Sequence, residues 1–272
     1  MKAEPTPLAT GIPTEVPLPE APLVRVIAQV RFPPILSIRK EDSVADFQEE
    51  LRASYPHLQR NEVRNIDIRP GQDPSVSEAV IWRLADRQEP ATWRVSLGVD
   101  FVALEAWKYS SRQDFLNRLR RVLASVEACF QPAEALRVGL RYIDRLEGEA
   151  MDRIGDLIQG NFLGILQPGI GQFEPLREAT VHSMTQVQLQ AAEGMIQGRW
   201  GNMPPNATYD PETLQPTGKP SWVLDLDMFS PQASPFRSEE LAAMTGTFAE
   251  RIYSVFRMMV TDQFLKFYGG TP

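Results

Sequence analysis

Two long amphipathic stretches dominate this chain, and each is reached from a strand through a short polar turn. Residues 101–107 (Phe-Val-Ala-Leu-Glu-Ala-Trp) pass through Tyr109-Ser110-Ser111 into one of them, and residues 222–228 (Trp-Val-Leu-Asp-Leu-Asp-Met) pass through Phe229-Ser230-Pro231 into the other. Upstream of each lies the same succession of a strand, a shorter helix and several strands. A chain that states one order twice is constrained to build two similar units. The expectation is an α+β fold of two pseudo-repeated β-α-β(3–4)-α units, over 23–132 and 133–272, packed as one body. That order lets a curved antiparallel sheet hold long helices on one face, as in helix-grip or saddle-like folds.

Before the first unit, residues 1–22 carry prolines at 5, 7, 13, 17, 19 and 22 with little to bury between them. Such an arm is expected to be disordered and extended unless a partner holds it. From Leu23 the pattern alternates: Val24, Val26, Ala28, Val30 and Phe32 take one side of a strand, and Arg25, Ile27, Gln29 and Arg31 the other. Ser43 is read as the cap of a helix with Val44, Phe47 and Leu51 on its buried stripe. Four strands are expected between about 62 and 107, with breakers at Pro70-Gly71, Asp73-Pro74, 86–90 and 98–100. Ser111 with Asp114 resembles a capping box opening a helix whose stripe is Phe115, Leu116, Leu119, Val122, Leu123, Val126 and Phe130.

The second unit opens with Val138, Leu140 and Tyr142 inward and Arg137, Arg141 and Arg145 outward. A helix is read at 151–165 and strands at 180–190 and from Gly194 to about Trp200. The five prolines of 203–220 mark a long surface loop of the kind that is functional or mobile. A last helix begins near Ser238, with Leu241, Met244, Phe248, Ile252, Val255, Phe256 and Met259 as its stripe.

The chemistry follows from what the composition excludes. Of 272 residues, 28 are basic and 35 acidic, and a net charge of −7 repels a phosphate backbone. Nucleic acid is therefore disfavoured as a partner. The single cysteine, Cys129, forms no intrachain disulfide and fits a reducing, cytoplasmic setting; with only His57 and His182 beside it, a structural zinc is excluded. No apolar run approaches the ~18 residues of a membrane span. Pro168-Gly169-Ile170-Gly171 lacks the strand, third glycine and Lys-Ser/Thr pair of a phosphate loop, so it reads as a turn. His57 reads as a helix-end surface residue and His182 as a solvated one.

The strongest constellation is the outer face of the predicted sheet. By parity, Arg25, Gln29, Arg31, Arg94, Ser96, Glu105, Arg137, Arg141, His182, Gln186, Gln188, Asp225 and Asp227 point away from the helices. A half-solvated sheet shows such alternation for structural reasons alone. A polar sheet face is also a recognition surface, and its arginines suit carboxylates because the planar guanidinium binds them bidentately. Asp225 and Asp227 share one face, which suggests a divalent metal only if Glu105 or Asp144 joins them, and Asp144 has the parity of the core.

The segments Val30-Arg31-Phe32-Pro33-Pro34, Trp93-Arg94-Val95-Ser96-Leu97, Arg137-Val138-Gly139-Leu140-Arg141-Tyr142-Ile143-Asp144 and Leu224-Asp225-Leu226-Asp227 resemble those of an uncharacterised, sporadically distributed bacterial family of about 250–280 residues. The resemblance covers most of the chain after Leu23. That family brings no established catalytic residues, so no site is implied; patchy distribution of this kind, typical of mobile or defence-associated cassettes, implies a partner-binding or neutralising role.

Three functional expectations follow. The first is a non-enzymatic protein-binding module, an accessory or toxin-neutralising subunit, that uses Arg25, Arg31, Arg94, Arg137, Arg141, Gln186, Gln188, Asp225 and Asp227. Its partner is another protein or peptide, for instance from a neighbouring gene, with a homodimer left open and no cofactor, membrane or nucleic acid expected. The second is a small-molecule binder or enzyme with an apolar pocket between sheet and long helix, lined by Trp93, Phe115, Trp222 and Phe248. The third is a metal-dependent hydrolase centred on Asp225 and Asp227.

Overall fold

The computed structural model describes Leu8 and residues 11–67, 75–169 and 174–272. The breakers expected at Pro70-Gly71 and Asp73-Pro74, and Ile170-Gly171 of the expected turn, lie outside the described residues. The chain runs β1 (Leu23–Arg31), α1 (Glu41–Leu51), β2 (His57–Asp67), β3 (Ser75–Ala85), β4 (Trp93–Gly98), β5 (Phe101–Ala106), α2 (Arg112–Phe130), β6 (Glu134–Ala135) and β7 (Arg137–Glu147). The short helices α3 (Glu149–Asp152), α4 (Ile154–Leu157), α5 (Gly160–Leu163) and α6 (Glu174–Ala179) come next. Then come β8 (Ser183–Ala191), β9 (Gly194–Met203), β10 (Ser221–Phe229), β11 (Ser234–Pro235), α7 (Ser238–Met259) and α8 (Asp262–Phe267). The fold is α+β, with a nine-stranded sheet in the order β2-β3-β4-β5-β1-β7-β10-β9-β8.

Local sequence explains most elements. Ser111 caps α2 by accepting from the Asp114 amide at 3.1 Å, and the helix ends where Gln131 turns left-handed at φ 47°, one residue before Pro132. Ser43 does not cap α1. The helix starts three residues earlier behind Lys40, where Glu41 and Asp42 place negative charge on its first turn. The single helix expected over 151–165 is instead a series of short turns, because Gly164 sits at φ +55° and Gly155 and Gly160 weaken the run.

Two compact contact units emerge. One comprises Ile27–Gly139 and Ser230–Gly246, the other Met1–Val26, Leu140–Phe229 and Thr247–Pro272. In the first, Val95, Leu97, Leu104, Phe115, Leu119, Val122 and Leu123 form the core between sheet and α2, each at most 2% exposed. Burying each such side chain contributes about 1.5–3 kcal/mol. Phe47 of α1 meets Phe130 at 5.7 Å, and Trp93 meets Phe115 at 5.8 Å.

In the second unit, Leu224, Leu226 and Met228 of β10 lie buried, as do Phe248, Ile252 and Met259 of α7 and Phe264 and Leu265 of α8. Residues 11–22 are held by their backbone. The Val16 amide donates to the Tyr253 hydroxyl at 2.8 Å, Tyr253 donates to the Thr14 carbonyl at 3.3 Å, and the Glu20 amide donates to the Tyr268 carbonyl at 3.3 Å. Among the described residues no helix is long and apolar enough to cross a membrane.

Candidate functional site

Strand register in the first unit assembles a basic cavity. His57 pairs with Ala85 and Gln59 with Arg83; Arg83 faces Ser96 and Ala85 faces Arg94, which in turn faces Glu105. Residues opposite one another share a face, so two cross-strand rows run Gln59-Arg83-Ser96-Ala103 and His57-Ala85-Arg94-Glu105. Small Ala85, set among longer side chains, leaves room for a hollow. Its walls include His57, Gln59, Arg83, Arg94, Trp107 and Lys108, and the turn at 90–92 closes one side of a volume near 590 Å³. That turn is tied down by Asp86, whose carboxylate accepts from the Thr92 amide at 3.0 Å and from the Thr92 hydroxyl at 2.5 Å.

The charges in this cavity are unevenly matched. Arg94 donates to Glu105 at 2.5 Å and lies 4.8 Å from the Trp107 ring centre, so it is spoken for on two sides. Arg83 differs: its Nε is buried without a hydrogen-bond partner. Lys108 is exposed at the rim. An acidic group entering here meets the Arg83 guanidinium and the Lys108 ammonium, cations that pair with a carboxylate.

The second unit carries an equally polar face with a different fate. Gln186, Arg199 and Asp225 form one cross-strand row, and Gln188, Gln197 and Asp227 the next. Over one end of this face folds the segment 204–220. Arg141 grips Asp225 through two bonds of 2.8 and 2.9 Å and Asp210 of the segment at 3.0 Å, while the Tyr209 hydroxyl donates to Asp225 at 2.8 Å. Arg25 reaches the Glu212 carbonyl at 2.5 Å and Arg145 the Gln215 carbonyl at 2.6 Å.

Leu214 plugs the segment into an apolar cluster with Ile143, Met203 and Val223, and the Asn206 amide closes the loop on the Thr217 carbonyl at 2.7 Å. Consequently the first six residues of β10 are buried on both faces, where a half-solvated strand would alternate. Burial opposes the Arg141 charge, but Asp225 and Asp210 overcome it and raise its pKa. Burial and the Asp225 charge raise that of Tyr209. Burial pushes Asp210 up as well, yet Thr213 and Arg141 outweigh it and the net shift is down.

The expected site residues thus fall into distinct settings. Arg94 lines the basic cavity, and Arg31 pairs with Asp100 at 2.5 Å in the open. The half-buried Arg137 lies against Gly139, where an added Cβ would meet its guanidinium at 2.7 Å. Arg25, Arg141 and Asp225 are enclosed with the chain's own loop. Asp227 joins Arg141, Gln197, Arg199 and Asp225 around a cleft of about 60 Å³, room for water but not for a peptide side chain. Gln186 and Gln188 are exposed.

Asp144 lies buried, and its carboxyl is pushed up to about 7 by that burial. Among the described residues no three His, Cys, Asp or Glu side chains gather as a metal site. Trp93, Phe115, Trp222 and Phe248 are at most 6% exposed.

Sequence reasoning missed Arg83, Trp107 and Lys108, and placed His57 at a helix end although it opens β2. A register for β3 would have found Arg83, since it faces Ser96. Tyr209 and Asp210 lie in an aperiodic stretch whose only signal is turn chemistry, Thr208 and Asp210 beside Pro211. No family model, curated protein or solved structure matches the chain.

Proposed function

We propose that this chain is a non-enzymatic binding module whose anchor is the basic cavity of β2–β5, and that it takes an acidic segment of another protein or peptide. The observation that carries the reading is Arg83, which lines the hollow without an ion pair among the described residues, while the other arginine lining it is already engaged by Glu105. An arriving carboxylate pairs with the Arg83 guanidinium through charge-assisted hydrogen bonds. The affinity for the family of sporadic bacterial proteins, with its accessory or neutralising role in a cytoplasmic setting, belongs to the same proposal.

A second reading shares the site. A cavity near 590 Å³ also suits a small organic acid, since ligand sites run from about 300 to 1,000 Å³. An internal duplication belongs to the same proposal, and the strand order is consistent with it: β2-β3-β4-β5-β1 and then β7-β10-β9-β8, one order of elements followed by its reverse. On this reading β7, β10, β9 and β8 repeat β1, β5, β4 and β3 in a helix-grip arrangement, with each long helix following the strand next to β1 or β7.

The test is a titration of a glutamate-rich hexapeptide, and separately of citrate, followed by tryptophan fluorescence, with Trp107→Phe assigning the Trp107 share of the emission. Saturable quenching by the peptide that Arg83→Glu abolishes is the expected result. Response to citrate alone moves the assignment to the small-molecule reading, and no response to either removes both.

A further inference from the structure

The two edges of the nine-stranded sheet are built differently. β2, at one end, carries Arg60 and Glu62 paired at 2.5 Å, and its sequence holds Arg64 and Asp67 as well. Charge on an edge strand discourages pairing with another chain. β8, at the other end, reads Ser-Met-Thr-Gln-Val-Gln-Leu-Gln-Ala, nine residues with no charge, proline or glycine. Its register with β9 is continuous from Ser183 to Ala191, so no bulge turns the edge away. Gly201 lets the two backbones approach closely, since a Cβ there would lie 1.9 Å from the Ser183 carbonyl oxygen. Among the described residues no strand occupies the free side of β8.

We propose that β8 pairs antiparallel with β8 of a second copy of this chain, centred on Val187, so that the protein is a homodimer joined edge to edge. Pairing about that centre sets Val187 against its own copy, Gln186 against Gln188, Thr185 against Leu189 and Met184 against Gln190. A strand that meets itself must not set like charges opposite each other, and β8 has none to set. The amides of Gln186 and Gln188 are each both donor and acceptor, so they satisfy one another across the join. The opposite face brings a β-branched pair together.

The chain leading into β8 also exposes apolar side chains: Ile165, Leu176 and Val181 are 43%, 54% and 69% exposed. The acidic segment assigned to the basic cavity is not the occupant here, because β8 offers it no positive charge. The two surfaces are therefore independent, and the failure of one leaves the other standing.

Sedimentation equilibrium on the full chain tests the proposal together with cross-linking. In a Cys129→Ser background, Val187→Cys is expected to give a disulfide-linked dimer on mild oxidation. Facing Cα atoms in an antiparallel pair lie about 4.5–5.5 Å apart, within the ~4.4–6.8 Å a disulfide spans. The exposed double variant Gln186→Glu/Gln188→Glu, which opposes carboxylates twice without touching the core, is expected to weaken the dimer at least tenfold while the far-ultraviolet circular dichroism stays native. A monomer at every concentration overturns the proposal, as does a dimer that ignores the double variant or fails to cross-link through position 187.

Discussion

The polar faces of the two contact units start from similar strands and end in opposite conditions. In the first, Arg83, Arg94 and Trp107 ring an open hollow between cross-strand rows. In the second, Arg141 and Asp225, with side chains 17% and 4% exposed, are locked beneath 204–220. Alternation alone makes Arg94 and Arg141 look equivalent. Each finds a carboxylate on an adjacent strand, Glu105 for Arg94 and Asp225 for Arg141, and what separates them is the loop from beyond β9 that folds over the second pair and adds Asp210. A charged strand face is available for recognition only where the chain does not cover it.

The contrast breaks most visibly at Arg141. Arg141→Met leaves Asp225 buried with Tyr209 alone, and stripping one partner from a buried pair costs about 3–5 kcal/mol. Urea denaturation is expected to show a stability loss of that size; a loss below about 1 kcal/mol, the range of exposed pairs such as Arg120 with Glu239, would mean that the network is solvated.

Leu214→Ala comes next. Leu214 is 1% exposed, and truncating such a residue costs about 2–5 kcal/mol. Its effect should be local: limited proteolysis is expected to cut within 204–220 in the variant and not in the parent. Equal resistance of the two would show that the loop is held by its polar bonds alone.

A smaller effect is expected from pH. The folded Asp144 carboxyl titrates at about 7 against an ordinary 3.8, because burial penalises its charge. The folded state then holds the extra proton between those values, so stability is full below about 3.8 and falls as pH rises through about 7. Asp144→Asn should flatten the decline between pH 4 and 7 in thermal melts. A decline that survives the substitution assigns it to another group.

Much of the scaffold was legible because local physics sets it. Ser111 with Asp114 announced the start of α2, Pro132 its end, and the stripes from Phe115 and Leu241 their buried faces. The face of Asp225 and Asp227 was legible too, since strand periodicity leaves no choice. The helix at 151–165 was misread because three glycines interrupt an otherwise amphipathic run. The loop was opaque for a different reason: Leu214 and Tyr209 act through partners on β7 and β10, and nothing periodic in 203–220 points to them. Arg83 was missed because its meaning lies in its register with Ser96, a long-range fact.

The measurement that bears most directly on open against covered faces is the hexapeptide titration run on two charge reversals. Arg83→Glu lies in the hollow, and Arg199→Glu lies on the covered unit's face, where its guanidinium rests 5.6 Å from the Tyr209 ring. Trp107 quenching lost in the first and retained in the second is the expected result. Quenching that survives Arg83→Glu, or that disappears equally in both, would contradict the assignment of the hollow as the working site.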